Sequence, residues 1–289
     1  ESILSQSYPH IEFIFVNDGT KDRSIELLEE LITKKYEHLR PQIKIVHKEN
    51  GGLPAARHTG LEAATGDYIY NVDSDDWLSE GSIEKIAAKI AETSADVVYF
   101  NYVKEYPTRS SVKRERCYTS AERPRYIRNM YNHVSFGTLC NKCIRRQLFL
   151  DNTIYVPKYG YAEDCYVSTQ VVGYAKSIAY LDENVYHYRK GVATAMTGQQ
   201  RRKRKREYIL NFLDLYLKYK DIPTEHNPIA NIVDDILIQA GWYSTWYNLD
   251  LYSEFEWLAA AVRGAKIRGG GSDVPLVAQI ITKIVALWK

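Results

Sequence analysis

The sequence has little cysteine and little net charge, and each shortage excludes a class of protein. Four cysteines in 289 residues are too few for a disulfide framework, and no signal peptide is recognisable, so a cytoplasmic protein is expected. The segment Cys140-Asn141-Lys142-Cys143 has the spacing of half a zinc site, but no second pair of ligands follows at suitable spacing. Both thiols are therefore expected to be buried and inert.

Basic and acidic residues nearly cancel, at 38 and 36, so nucleic acid is not an expected partner. The basic run 201–206 is expected to be a solvated linker, with contact to phosphate or anionic lipid as the alternative. The last amphipathic stretch, 273–288, is shorter than the roughly 20 apolar residues that cross a bilayer. Packing on its own appendage is expected there; docking to a partner or to the inner face of the membrane is the alternative.

Apolar runs and helical periodicities alternate through the first hundred residues. Residues 1–8 resemble the end of a helix, and the runs at 11–16, 43–47, 67–72 and 96–103 predict strands. The alternation predicts an α/β fold with a mostly parallel central sheet flanked by helices, one of them over Ser82–Thr93. The charged segment 104–116 predicts a mobile excursion or an exposed hairpin.

The alternation ends at about residue 200, which divides the chain into a catalytic domain, 1–200, and an α-helical appendage, 201–289. Within the appendage, helical spacing recurs over 208–219, 229–247 and 254–263, and the last helix covers 273–288.

Carboxylates cluster where the strand at 67–72 ends. Asp73 and Asp75 are two positions apart in an extended segment, so both side chains can address one ligand. Mg²⁺ and Mn²⁺ prefer such oxygen ligands and often share them with substrate phosphates. The alternative is a solvated acidic turn, because Asp-x-Asp is a common tripeptide. Asp18, at the end of an earlier strand, could accept hydrogen bonds from a base or a ribose, or could simply stabilise its turn.

Other candidates lie near helix starts and on a late strand. Arg57 follows two glycines and could contact a diphosphate, or could form a surface salt bridge. Glu163 and Asp164 open a predicted helix that runs to about Tyr174, where the helix dipole keeps a carboxylate ionised for use as a base; plain helix capping is the alternative. His187 could bind metal or phosphate, or be structural.

Together these segments resemble family 2 glycosyltransferases over about residues 1–200. The resemblance is carried by four segments in order: Val16-Asn17-Asp18-Gly19-Thr20; Asn50-Gly51-Gly52-Leu53 with Ala56-Arg57; Asp73-Ser74-Asp75-Asp76-Trp77; and Glu163-Asp164. It implies a glycosyltransferase A fold and inverting transfer from a nucleotide sugar, usually a uridine diphosphate sugar, to a glycan or lipid-linked acceptor. Family members normally begin with an apolar strand that is missing here, so native N-terminal residues are expected to be absent from this chain, or that position in the sheet to be filled otherwise.

The resemblance also implies roles for individual residues. Asp18 would bind the base, and Arg57 and Asp73 would line the nucleotide pocket. Asp75 would hold Mn²⁺ or Mg²⁺ on the diphosphate, and Asp164, with Glu163 beside it, would be the base. The segment Tyr186-His187-Tyr188-Arg189 resembles the family's segment after the acceptor helix, which would place His187 near the metal or Arg189 near the diphosphate.

Two other functions compete with this interpretation. A nucleotidyltransferase also joins an α/β sheet to metal-binding aspartates. It is expected to carry a glycine-rich basic loop after its first strand, but this sequence does not include that region, so the alternative stays open. A catalytically silent sugar-nucleotide-binding or scaffold protein would instead use the helical appendage as its working surface. Neither the sugar, the acceptor nor the oligomeric state follows from the sequence.

Overall fold

The computed structural model describes residues 1–191, 201–266 and 282–283. The chain forms two compact units, each discontinuous in sequence. The first comprises Glu1–Cys117, Leu139–Val156 and Ala175–Val192, and the second comprises Tyr118–Thr138, Pro157–Tyr174 and Ala193–Lys289. The sequence analysis divides the chain once, at residue 200, whereas each compact unit is made of three separate segments. The division into a catalytic domain and an appendage stays a prediction.

The first unit contains the strands, and its elements are bounded as follows. The strands are β1 (Phe13–Asp18), β2 (Ile43–Lys48), β3 (Tyr68–Tyr70), β4 (Trp77–Leu78), β5 (Val97–Tyr106), β6 (Arg109–Lys113), β7 (Lys142–Arg145) and β8 (Ile178–Arg189). Helices are numbered along the whole chain, and those of the first unit are α1 (Ser24–Lys35), α2 (Leu53–Ala63), α3 (Ser82–Thr93) and α5 (Gln147–Asp151), with a 3-10 segment at Glu37–Gln42.

All the regular elements among the described residues of the second unit are helices. Its helices are α4 (Arg123–Tyr131), α6 (Glu163–Tyr174), α7 (Arg201–Tyr219), α8 (Val233–Trp246), α9 (Leu251–Glu254) and α10 (Leu258–Gly264), with 3-10 segments at Ser120–Glu122 and Ala230–Ile232. The helical appendage is thereby confirmed over the described residues, although the predicted helix at 254–263 is divided between α9 and α10. The helix predicted over 273–288 lies outside the described ranges, apart from two helical residues at 282–283.

The α/β class is confirmed, but the pairing is less parallel than predicted. Among the described strands, β1 pairs with β2 and β5 with β8 in parallel, and the remaining pairs are antiparallel. A parallel pair needs a crossover of a dozen or more residues, whereas β5 and β6 are joined by two residues, Pro107 and Thr108. The segment 104–116 accordingly forms the exposed hairpin that was one of its two predicted states.

The core of the larger sheet is centred on β5. The strand order is β3-β7-β5-β8-β4, and β6 pairs with the C-terminal half of β5. Val97, Val98, Tyr99 and Phe100 are fully buried, as expected for a strand with neighbours on both sides and both faces covered. Cys140 and Cys143 are buried as predicted, and burial raises the pKa of Cys143 to about 12.

Two segments, 1–8 and 201–206, differ from the local structure predicted for them. Residues 1–8 form a single turn, in which the Ser5 N–H donates to the Glu1 carbonyl (3.0 Å), and Leu4 packs on Phe13 and Ile32. The basic run 201–206 is the first part of α7 and so not an irregular linker. Lysine and arginine are good helix formers, and the helix is anchored by its buried Tyr208, Phe212, Leu215 and Tyr219.

No helix in the described part of the chain combines the length and the apolarity needed to cross a membrane.

Candidate active site

Asp18 ends β1 and fastens the following glycine turn to the strand. Its Oδ1 accepts from Lys48 Nζ (2.5 Å) and from the Gly51 N–H (2.9 Å), and its Oδ2 accepts from the Gly52 N–H (2.8 Å). The Lys48 ammonium and the two backbone N–H groups hold the pKa of Asp18 below its usual range. The carboxylate is therefore ionised and oriented, and Oδ2 has the smaller number of partners.

The glycine turn connects Asp18 to the helix that carries Arg57. Gly52 has a φ of +81°, a conformation that strongly favours glycine, and α2 begins at the next residue with Pro54 in its first turn. Gly19 packs against the same turn: a Cβ on Gly19 would lie 3.0 Å from the Asn50 backbone nitrogen. The turn at Gly19 and the turn at Asn50 therefore approach so closely that a side chain at position 19 would force them apart.

Arg57 and Asp73 meet as an ion pair. Arg57 Nη2 donates to Asp73 Oδ1 at 2.9 Å, and the two side chains are 15% and 27% exposed. The prediction that both residues serve one pocket is consistent with this contact, which joins the start of α2 to the end of β3. A series of contacts therefore links Asp18, the glycine turn, Arg57 and Asp73 within the first unit.

Asp75 is the outward-facing member of the acidic segment. It is exposed, and within the described ranges its carboxylate has no hydrogen-bond or ion-pair partner. No group of three or more His, Cys, Asp and Glu side chains among the described residues is arranged to hold a metal by itself. An exposed carboxylate beside Asp73 nonetheless fits Mg²⁺ or Mn²⁺, which commonly take one or two carboxylates and complete their shell with water and substrate phosphate.

Asp76, unlike Asp75, points into the protein and is hydrogen bonded to β8. Its Oδ2 accepts from the Tyr186 hydroxyl (2.6 Å) and its Oδ1 from the Arg189 N–H (2.7 Å). Burial raises the pKa of Asp76 to about 6, against the lowering effect of these two hydrogen bonds; the charges of Asp75 and Asp73 also raise it.

Trp77 and β8 form the side of the site next to Asp76. Trp77 pairs with His187 across β4 and β8, and the two rings stack at 5.2 Å with an interplanar angle of 7°. The Arg189 guanidinium lies 5.3 Å from the centre of the same indole ring, within cation–π range. The structure thus places Arg189 beside the acidic segment, through both its backbone N–H and its side chain.

His187 is hydrogen bonded at both ring nitrogens. Nδ1 lies 2.7 Å from Glu105 Oε1, and Nε2 lies 2.9 Å from Ser79 Oγ. Metal binding at Nε2 would require Ser79 to be displaced, so the metal role of His187 stays a prediction that this geometry does not favour. Sequence reasoning missed Glu105 and Ser79, which lie 82 and 108 positions away from His187 and carry no local signal.

The predicted base belongs to the second unit. Glu163 and Asp164 occupy the first turn of α6, where the positive end of the helix dipole stabilises ionised carboxylates. The helix follows Ala162, whose φ of +63° marks an abrupt change in chain direction, and Glu163 is 9% exposed. Helix formation at 163–174 is confirmed; the catalytic role of either residue stays a prediction.

Comparison with known proteins assigns this chain to a family. The sequence model described as glycosyl transferase family 2 matches residues 1–152, and the chain belongs to that family. It is 31% identical over 208 residues to the putative glycosyltransferase EpsH of Bacillus subtilis, covering 70% of this chain and 59% of EpsH. It is also 31% identical over 204 residues to the glycosyltransferase GlyA of Streptococcus pneumoniae, covering 65% of this chain and 28% of GlyA.

A solved structure shows the fold. The structure of S. aureus TarS residues 1–349 in complex with UDP-GlcNAc matches 99% of this chain and 83% of that chain, with a TM-score of 0.65 and 20% identity. The glycosyltransferase A fold implied by the sequence resemblance is thereby confirmed. The matched part of this chain spans 59% of EpsH and 28% of GlyA.

Proposed function

We propose that this protein transfers a hexosyl or N-acetylhexosaminyl group from a uridine diphosphate sugar to a hydroxyl of a glycan or lipid-linked acceptor, with inversion at the anomeric carbon. The observation that carries the proposal is the connected series from Asp18 through the glycine turn and Arg57 to Asp73, with Asp75 exposed beside it. Family membership and the TarS fold support the proposal, because the TarS structure contains UDP-GlcNAc.

Donor binding would use the first unit. Asp18, ionised and fixed, would accept a hydrogen bond from the uracil imide or a ribose hydroxyl through Oδ2. Arg57 would keep the Asp73 carboxylate oriented toward the ribose and diphosphate. Arg189, beside the acidic segment, would contribute positive charge toward the diphosphate.

Asp75, with Asp73 beside it, would hold the metal. When bound, Mn²⁺ or Mg²⁺ would neutralise the charge that develops on the leaving diphosphate.

Asp164 would act on the acceptor. As the acceptor oxygen attacks the anomeric carbon, its proton would pass to the Asp164 carboxylate, the bond to the diphosphate would break, and UDP would leave with the bonding electron pair. A single displacement from the opposite face inverts the anomeric centre. The position of Asp164 in the first turn of α6 suits this task, because the helix dipole keeps the carboxylate in its basic, ionised form.

A binding screen tests the donor part of this proposal. A panel of nucleotide sugars, UDP and nucleoside triphosphates is added to the protein with Mn²⁺, and thermal midpoints are compared with those in EDTA. Uridine diphosphate sugars are expected to raise the midpoint only with the metal, because a ligand that binds the folded state stabilises it. A shift restricted to nucleoside triphosphates would instead favour a nucleotidyltransferase, and no shift with any nucleotide would contradict the proposal.

A turnover assay separates an enzyme from a silent binding protein. The donor that gives the largest thermal shift is incubated with Mn²⁺, and UDP release is followed with and without candidate acceptors. The proposed enzyme releases UDP faster when the correct acceptor is present and slowly by hydrolysis in its absence. Donor binding without any metal-dependent release of UDP would identify a binding or scaffold protein.

A further inference from the structure

One hydroxyl group contacts both ends of the acidic turn. The Tyr186 hydroxyl donates to Asp76 Oδ2 at 2.6 Å and accepts from the Asp73 N–H at 3.2 Å. Tyr186 lies on β8, 110 and 113 positions away from these two residues, and its ring is fully buried. The contact therefore ties the turn after β3 to the rigid interior of the larger sheet.

Two hydrogen bonds donated by backbone N–H groups complete the arrangement. The Asp76 N–H donates to the Asp73 carbonyl at 3.1 Å, which closes the turn over Ser74 and Asp75. The Arg189 N–H donates to Asp76 Oδ1 at 2.7 Å. The residues at positions 73 and 76 are thus fixed by β8, while Ser74 and Asp75, between them, are exposed to solvent.

The turn needs such fixing because it carries three carboxylates within four positions. Like charges at this separation repel, and an unrestrained loop would relieve the repulsion by opening. Asp76 does not face solvent as Asp75 does: its carboxylate is turned inward onto Tyr186 and the Arg189 backbone. Removing the Tyr186 hydroxyl would release the Asp73 amide and one oxygen of Asp76 together.

We propose that Tyr186 is a positioning residue of the donor site: its hydroxyl, acting through Asp76 and the Asp73 backbone, holds the turn in the shape that presents Asp73 and Asp75 to a nucleoside diphosphate and its cation. This inference rests on the proposed function. Tyr186 acts through the turn and does not itself bind the ligand, so its loss weakens binding of the nucleotide with its metal more than it slows the chemical step.

The experiment compares Tyr186→Phe with Tyr180→Phe, a matched control on the same strand. The Tyr180 hydroxyl also has two partners, Asn101 Oδ1 at 2.8 Å and Asp182 Oδ1 at 2.9 Å, and neither partner is in the acidic turn. UDP binding is measured by calorimetry at fixed Mn²⁺, and hydrogen–deuterium exchange is measured over residues 71–78. Steady-state kinetics with a uridine diphosphate sugar give KM and kcat separately.

For Tyr186→Phe we expect a rise of about tenfold in the Kd for UDP with Mn²⁺, corresponding to the loss of one or two hydrogen bonds, together with faster exchange in the segment 71–78. KM for the donor rises in parallel, and kcat changes less. Tyr180→Phe leaves all three quantities near those of the wild type.

Two results would overturn the inference, and they are distinguishable. If the wild type binds UDP with Mn²⁺ and the two variants bind it equally well, Tyr186 has no positioning role and the proposed function stands. If the wild type binds no nucleotide with any divalent metal, there is no ligand for the turn to receive, and both the inference and the proposed function fall.

Discussion

Asp18 shows how one carboxylate can be fixed before any ligand arrives. Three donors converge on it, and together they keep its pKa below the usual value of 3.8. The folded protein therefore binds the Asp18 proton more weakly than the unfolded chain does. The stability supplied by this carboxylate is complete above the unfolded-state pKa and is lost as the pH falls through the lower, folded-state pKa.

Replacing Asp18 by Asn is expected to lower the free energy of unfolding by about 1 kcal/mol at pH 7, because the amide keeps only part of the hydrogen bonding and none of the charge. The difference from the wild type should shrink as the pH is lowered below about 4, where the wild-type carboxylate becomes protonated in the unfolded chain. Urea unfolding at pH 7, 5, 4 and 3 measures this. A difference that stays constant over that range would show that the Asp18 charge does not contribute.

Asp75→Asn tests the exposed carboxylate. We expect the variant to fold normally, because the side chain has no hydrogen-bond partner among the described residues. It should bind UDP with Mn²⁺ at least about tenfold more weakly, because even residues that only hydrogen bond to a metal ligand usually change metal affinity by that factor. Asp67→Asn, at the exposed opposite end of β3, is the matched control. Equal metal-dependent UDP binding in the two variants would remove Asp75 as a metal ligand.

Asp164→Asn tests the proposed base. The variant should keep donor binding and lose transfer by about 10²–10⁴-fold, the usual contribution of a general base. Asp221→Asn, an exposed carboxylate of the same unit that pairs with Lys220, should transfer at the wild-type rate. Donor affinity from calorimetry and transfer rates at saturating substrate are the two measurements. Near-normal turnover in Asp164→Asn would exclude it as the base.

The glycine turn before α2 restricts which residue can stand at position 52. Gly52 has a left-handed φ of +81°, while the space around it is open, with no atom within 4 Å of the position that a Cβ would take. Gly60, inside α2, has a helical environment in which a Cβ would lie 3.4 Å from Val16 Cγ2. The first position is limited by backbone conformation and the second only by ordinary packing.

Gly52→Ala is therefore expected to destabilise the protein by about 1–2 kcal/mol, because an L-residue is strained at this φ, and to weaken UDP binding by disturbing the N–H groups that hold Asp18. Gly60→Ala should be neutral or stabilising by up to about 1 kcal/mol, because alanine favours the helix. Thermal and urea unfolding of both variants provide the comparison. Destabilisation of Gly60→Ala equal to that of Gly52→Ala would contradict the conformational explanation.

Helices and strands were predictable from the sequence where residues close together in the chain determine them. The helix α3 occupies Ser82–Thr93, the range its apolar spacing predicts, and α2 follows the glycine and proline signals of its first turn. Strand partners were not predictable, because pairing depends on contacts between distant segments: β7 enters the sheet between β3 and β5, and it makes both pairs antiparallel. The antiparallel pairs of the larger sheet were not foreseen for this reason.

The same distinction applies to the candidate site. Asp18, Arg57 and Asp73 were identifiable because each follows a strand or a glycine turn, and the structure connects them. The contacts of Tyr186 and His187 with residues 82–113 positions away leave no trace in local sequence. In the sequence Tyr186 is merely a neighbour of His187, and only the geometry of the turn gives its hydroxyl a role.

At the scale of the whole molecule, the candidate residues are divided between two compact units. The nucleotide-binding candidates belong to the first unit, and Glu163 and Asp164 belong to the second. A glycosyltransferase A fold supports many donors and acceptors, so the fold alone does not select a sugar. Specificity has to be measured, beginning with the donor that gives the largest metal-dependent thermal shift.

The stereochemistry of transfer distinguishes a single displacement from other routes. The protein is incubated with an α-linked uridine diphosphate sugar and Mn²⁺, and the anomeric configuration of the first product, formed on an acceptor or on water, is read by proton NMR before mutarotation. Single displacement with Asp164 as the base predicts a β-configured product, formed with Mn²⁺ and not in EDTA, and strongly reduced by Asp164→Asn. An α-configured product, or turnover that Asp164→Asn leaves unchanged, would contradict single displacement with Asp164 as the base.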